Sequence, residues 1–187
     1  LAAKDGGRYA VPALAIFAAS MILLYGASTT YHTFNISEKV NKVLRKIDHM
    51  MIFILIAGSY TPICVIPLRD TVGIPLLILV WAVAIAGMLI KAFWITCPKW
   101  FSSIIYISMG WLCVLAMVPL VQALPAAAFV WLVAGGVIYT VGGIIYALKL
   151  PLFNAKHQYF GSHEIFHVFV MAGSLCHYVT MFYIATM

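Results

Sequence analysis

One stretch of this chain, between Lys99 and Lys149, contains no Asp, Glu, Lys or Arg. It is longer than the roughly 20 residues that one helix needs to cross a bilayer, and it fits two crossings with a turn. In lipid every backbone polar group needs an internal partner, which restricts spanning segments to helices and closed barrels. Because the apolar runs are continuous and do not alternate, they exclude a barrel. The stretch therefore predicts transmembrane helices.

The composition of the whole chain agrees with a membrane protein. Of its 187 residues 65% are hydrophobic and only 9% are charged, whereas about a quarter are charged in soluble domains. The net charge of +6 comes from bases in short loops between apolar runs, so it favours membrane topology and not a nucleic-acid partner. The four cysteines form no C-x-x-C pair and predict no thiolate metal site or disulfide framework. They are Cys64, Cys97, Cys113 and Cys176.

Six membrane spans are predicted, in a single transmembrane helical domain over residues 1–187. They cover about 10–34, 48–67, 72–93, 101–120, 127–148 and 163–186. In the fifth span, the pairs Gly135–Gly136 and Gly142–Gly143 recur at a spacing of seven and predict close packing against neighbouring helices. The fold class is thus all-α, a polytopic helix bundle.

The distribution of basic residues predicts the orientation. Eight of the 11 Lys and Arg residues lie in the loops after spans one, three and five. The positive-inside rule makes these loops cytoplasmic in the cell inner (plasma) membrane. Both ends of this sequence would then face outward. A further span before Leu1 would give seven spans and a cytoplasmic N-terminus of the full-length chain.

Five polar residues occupy the ends of three spans. Ser28 and His32 end span one, Asp48 begins span two, and His163 and His167 begin span six. The predicted topology places all five in the same leaflet. Ionisable groups at such depth are energetically costly and typically mark a function.

Their helical spacing indicates a zinc site. His163 and His167 are four residues apart and share a helix face, as do Ser28 and His32. Imidazoles from His32, His163 and His167 supply three ligands and leave a fourth position for water, which is the pattern of catalytic zinc. Asp48 has the character to orient that water or accept its proton, and Ser28 to hydrogen-bond a ligand, the water or a substrate carbonyl.

The alternative for each histidine alone is a polar residue at the membrane interface. His49 is interpreted in that way. His177 is predicted to be too distant for a ligand, because ten residues from His167 correspond to about 15 Å of helix. Glu164 lies about 100° around the helix from His163 and is predicted to be no ligand.

Four strings carry a resemblance to the hemolysin III family. They are ASTTYHTF (27–34), KIDHMMIFILIAGSYTPI (46–63), SSIIYISMGW (102–111) and SHEIFHVFVMAGSLCHY (162–178). That family is grouped with the progesterone and adipoQ receptors and, more distantly, with alkaline ceramidases, in a superfamily of membrane hydrolases. The resemblance implies seven spans with a cytoplasmic N-terminus. It also implies zinc bound by His32, His163 and His167.

The expected function is metal-assisted hydrolysis of a lipid amide or ester that enters from the bilayer. The alternative is a cytolytic, pore-forming protein with a structural zinc. A pore within one subunit should have polar residues along whole faces of several spans, and spans four and five have almost none. A ligand-sensing receptor would use the same scaffold. The substrate and the oligomeric state are left open by the sequence.

Overall fold

A computed structural model describes residues 7–94, 96–148 and 161–187. Its helices are α1 (Gly7–Thr33), α2 (Glu38–Val65), α3 (Ile74–Phe93), α4 (Lys99–Gly110), α5 (Met117–Ala123), α6 (Ala126–Leu148) and α7 (Ser162–Ala185), with a π-helical turn (Arg69–Gly73) before α3 and a 3₁₀ helix (Trp111–Ala116) between α4 and α5. Within these ranges six segments are long and apolar enough to cross a membrane. The all-α prediction and the six predicted spans are confirmed, and the chain is a multi-pass membrane protein.

The second span is the central helix of the bundle. In its most apolar part 61% of the residues are buried, against 33% or fewer in each of the other spans. It packs along α1 and α3 and also touches α4 and α7, while α6 and α7 form the other closely packed pair. The mean hydropathy of α2 is the lowest of the six spans. This helix therefore carries polar side chains into the interior of the bundle.

The start of α2 differs from the prediction. We predicted span two from residue 48, because the four bases before it resemble a loop, but the helix begins at Glu38. The Ser37 hydroxyl caps it by accepting the Val40 N–H at 3.3 Å, and Glu38 in the first turn suits the positive end of the helix dipole. Asp48 therefore lies well inside the helix and not in its first turn. The regular backbone there fixes the direction in which its side chain leaves the helix.

The fourth span, predicted as continuous over 101–120, is interrupted at Trp111–Ala116. The side chain of Tyr60 on α2 reaches this interruption: its hydroxyl donates to the Gly110 carbonyl at 2.6 Å and accepts the Cys113 N–H at 2.8 Å. Backbone N–H and C=O groups that lose their α-helical hydrogen bonds within lipid need other partners in the protein. A partner from another helix is not visible in the local sequence, so the prediction missed the break.

The glycines of α6 explain how closely that helix approaches its neighbours. An added Cβ would lie 2.4 Å from the His177 ring at Gly135, 2.6 Å from the Phe169 Cβ at Gly142, and 3.1 Å from Ile107 at Gly143. These three glycines confirm the predicted packing. Gly136 has no atom within 4 Å of the same position and faces a cavity.

This difference gives a matched pair of variants. Gly142→Ala is expected to destabilise the protein by about 1–3 kcal/mol, because the new methyl group would overlap the Cβ of Phe169 on a rigid helix. Gly136→Ala fills open space and is expected to be neutral or stabilising by up to about 1 kcal/mol through helix propensity. Thermal unfolding in detergent measures both variants. Equal melting temperatures for the two would contradict the packing described for α6 and α7.

Candidate metal centre

Three imidazole rings converge at the end of the bundle where α1 ends and α7 begins. The Nε2 atom of His163 is 3.3 Å from Nε2 of His32 and 3.2 Å from Nε2 of His167. His32 is in the last turn of α1, while His163 and His167 lie one turn apart near the start of α7. One ring nitrogen from each histidine lies within 4.8 Å of both others. The structure thus brings together all three histidines predicted as ligands.

The spacing of these nitrogens suits a tetrahedral metal ion. Zn–N bonds of 2.0–2.1 Å in a tetrahedron place two ligand nitrogens about 3.3 Å apart. The two short separations in the cluster have this length. His32 is exposed and the other two histidines are half-buried, so the cluster is accessible from outside the bundle. The donor set therefore fits zinc, and the described residues supply three of its four ligands.

Asp48 and Ser28 lie beside the cluster but outside its donor set. Asp48 on α2 is only 7% exposed. Both residues line the cavity that His163 and His167 also line. The group of metal-ligating atoms includes neither of them. The carboxylate thus faces the same cavity as two of the histidines without being part of their ligating group.

The cavity has a volume of about 140 Å³ and a mainly apolar and aromatic wall. Along α7 its lining extends from His163 to His177, a rise of about 21 Å at 1.5 Å per residue. A second cavity of about 60 Å³ lies next to it. The walls that both cavities share are Ser59, Tyr60, Gly110, Trp111, Gly136 and His177. A long apolar space thus leads from the histidine cluster into the bundle.

The environment of His49 corrects a sequence interpretation. We expected an interfacial base, but His49 is buried and lines the cavity. Its Nδ1 lies 2.8 Å from the Arg45 carbonyl oxygen and 3.6 Å from Oδ2 of Asp48, and the Tyr106 hydroxyl donates to its backbone carbonyl at 3.2 Å. The interpretation was wrong because α2 starts ten residues earlier than predicted, which moves His49 away from the helix end.

Three hydroxyl groups deeper in the bundle are hydrogen-bonded to one another. The Ser174 hydroxyl bonds to the hydroxyls of Tyr25 at 2.7 Å and Tyr139 at 2.8 Å. His177 packs edge-on against the Tyr139 ring and, as predicted, is not in the metal-ligating group. Glu164 is also outside that group, and its carboxylate accepts the Gly161 N–H at 2.8 Å, which caps α7.

Together, the fold and the site define a multi-pass α-helical membrane protein with a three-histidine cluster at one end of a buried apolar cavity. The haemolysin-III related family matches residues 2–178, and the chain belongs to this family. This confirms the resemblance inferred from the four sequence strings.

Individual relatives support the same assignment. The hemolysin-3 homolog of Bacillus subtilis (strain 168) is 39% identical over 173 residues, which are 92% of this chain and 77% of the relative. The hemolysin-3 of Bacillus cereus is 38% identical over 184 residues, which are 98% of this chain and 80% of the relative. The adiponectin receptor protein of Drosophila melanogaster is 27% identical over 192 residues, which cover 84% of this chain and 39% of the receptor. The similarity thus extends to the receptor branch of the superfamily.

Proposed function

We propose that this protein is a zinc-dependent hydrolase of a lipid amide or ester, with its centre near the cytoplasmic face of the inner membrane. The observation that carries the proposal is the convergence of three Nε2 atoms at zinc-ligand spacing. A carboxylate and a hydroxyl in the adjoining cavity complete the set. The orientation follows from the basic loops, which the positive-inside rule makes cytoplasmic.

The residues around the cluster have distinct roles in this reaction. Bound zinc supplies Lewis acidity towards a carbonyl oxygen and towards water. Asp48 accepts the proton of the attacking water and returns it to the leaving group, which is the work of a general base and acid. Ser28 lines the same cavity, where its hydroxyl can donate to the Asp48 carboxylate or to a substrate carbonyl. The burial of Asp48 keeps bulk water from competing for the same hydrogen bonds.

The cavity supports a lipid as the substrate. Its wall is largely apolar, and the second cavity extends the space away from the histidines. An acyl chain can pack against such a wall while its carbonyl group lies at the polar end. Ligand sites with this composition orient the ligand through a few polar groups and bind it through apolar contact.

The test is hydrolysis by purified protein in liposomes that contain an N-acyl lipid and an ester lipid. Wild type with zinc is expected to release free fatty acid from one of them, as measured by mass spectrometry. Chelator-treated wild type and His167→Ala are expected to release at least about 100-fold less, because metal catalysis is lost. No release by wild type from either lipid class, or equal release by His167→Ala, would overturn the proposal.

A second candidate, cytolysis through a pore, is favoured by the name of the Bacillus cereus relative, hemolysin-3. In that case liposomes would leak an enclosed dye without lipid cleavage, and leakage would survive Asp48→Ala. The cavity argues for hydrolysis instead, because its wall is mainly apolar and would not stabilise a water column. Dye release measured beside fatty acid release separates the two functions.

A further inference from the structure

A second polar cluster, unrelated to the histidines, is buried where α3 approaches α4. Lys91 is in the last turn of α3, Cys97 lies in the connection, and Ser102 is in the first turn of α4. Their exposures are 3%, 8% and 2%. The Lys91 ammonium donates to Sγ of Cys97 at 3.0 Å and to Oγ of Ser102. The sulfur and the hydroxyl oxygen are 3.2 Å apart, which closes a triangle.

The environment of Lys91 is unusual for a buried lysine. A buried ammonium is costly unless a carboxylate or several strong acceptors compensate it. Within the described ranges no carboxylate lies at salt-bridge distance from Lys91, and its side-chain acceptors are a thiol and one hydroxyl. Thiol sulfur is a weak acceptor, so electrostatic stabilisation alone accounts poorly for this arrangement. An amine held against a thiol is, however, arranged for covalent chemistry between the two.

We propose that Lys91 and Cys97 form an oxidative N–O–S crosslink, with dioxygen as the oxidant. The ammonium first loses one proton to solvent, which leaves the neutral amine. One N–H and the S–H bond then break, while N–O and O–S bonds form around one oxygen atom. The second oxygen atom leaves as water with the two released hydrogens. Nitrogen and sulfur together lose the four electrons that dioxygen gains, so atoms and charge balance.

The contact geometry suits this reaction. A single bridging oxygen holds nitrogen and sulfur slightly closer than the present 3.0 Å contact, so closure requires only a small movement. Ser102 fixes both partners, since its hydroxyl contacts the amine and the thiol. Low exposure slows competing reactions of the thiol with bulky thiols such as glutathione, while dioxygen is small and dissolves in lipid. The crosslink joins the end of α3 to the segment before α4.

Mass spectrometry of tryptic digests tests the proposal on wild-type protein in detergent. Half of the sample is kept anaerobic and half is aerated, and both are unfolded and alkylated with iodoacetamide before digestion. The anaerobic sample should give separate peptides 70–91 and 92–99, with Cys97 alkylated. The aerated sample should give one peptide, 70–99, that resists cleavage after Lys91, carries one additional oxygen and lacks two hydrogens. Dithiothreitol should restore the two separate peptides.

The variants Cys97→Ser and Lys91→Arg should abolish the crosslinked peptide, while Cys113→Ser, which changes a cysteine away from the cluster, should retain it. Aerated wild type in which Lys91 is fully cleaved and Cys97 is fully alkylated would overturn the proposal. So would an oxygen gain on Cys97 without loss of two hydrogens, since that product is a sulfenic acid. Neither result depends on a variant that folds poorly or on the zinc centre.

Discussion

Purified His163→Ala protein is expected to contain less than about a tenth of the zinc found in wild type, which should carry about one ion per chain. His163 is the member of the cluster whose Nε2 contacts both of the others. Its loss leaves one imidazole on α1 and one on α7, with no third ligand in the metal-ligating group of the described residues. Affinity falls by 10–100-fold when only a hydrogen bond to a ligand is removed, so removal of a ligand should cost at least about 100-fold. Elemental analysis after gel filtration in chelator-free buffer measures the ratio.

Two controls make the metal result specific. His177→Asn changes another histidine of α7 that lies outside the metal-ligating group, and it should retain the ion. Added zinc should raise the melting temperature of wild type and of His177→Asn, because a ligand that binds only the folded state stabilises it, by about 2.7 kcal/mol at 100 times its dissociation constant. His163→Ala should show no such rise. Wild-type zinc content in His163→Ala would contradict the assignment.

The histidine cluster could be predicted from the sequence because two independent regularities locate it. The spacing of four places His163 and His167 on one face of a helix, and the charge bias of the loops assigns the ends of three spans to one side. Both depend on short-range pattern or on simple counting. They do not require knowledge of which helices touch, and the packing of α1 beside α7 then brings His32 to the same point.

Features that depend on contacts between distant helices were not predictable. The break after Gly110 depends on Tyr60, 50 residues earlier in the chain. The buried position of His49 depends on where α2 begins and on Tyr106 of α4. Lys91 was read as a loop base that follows the positive-inside rule, yet it is one of the least exposed charged residues described. A pattern of residue types cannot distinguish a base at a helix end that reaches solvent from one that turns inward.

Asp48→Asn is expected to keep the zinc and to lose hydrolysis by about 10²–10⁴-fold, the range that general acid–base catalysis contributes. The amide has nearly the shape of the carboxylate and can still accept a hydrogen bond from Ser28. It cannot accept a proton from water at neutral pH. Because Asp48 lies outside the metal-ligating group, the change should separate metal binding from turnover. Zinc content and the rate of fatty acid release are measured on the same preparation.

Ser28→Ala is expected to lower the rate of hydrolysis less than Asp48→Asn does. Ser28 lines the cavity together with Asp48 and has a supporting role in the proposed reaction, so its removal should lower the rate by only about 10-fold to 100-fold, the range seen when a supporting hydrogen bond at a metal site is lost. If the protein formed a pore, dye leakage should be the same in Ser28→Ala and Asp48→Asn as in wild type. If Asp48→Asn lost zinc together with activity, the carboxylate would be a fourth ligand. Full activity in Asp48→Asn would assign the proton transfer to another group, for which His49, 3.6 Å from the carboxylate, is a candidate.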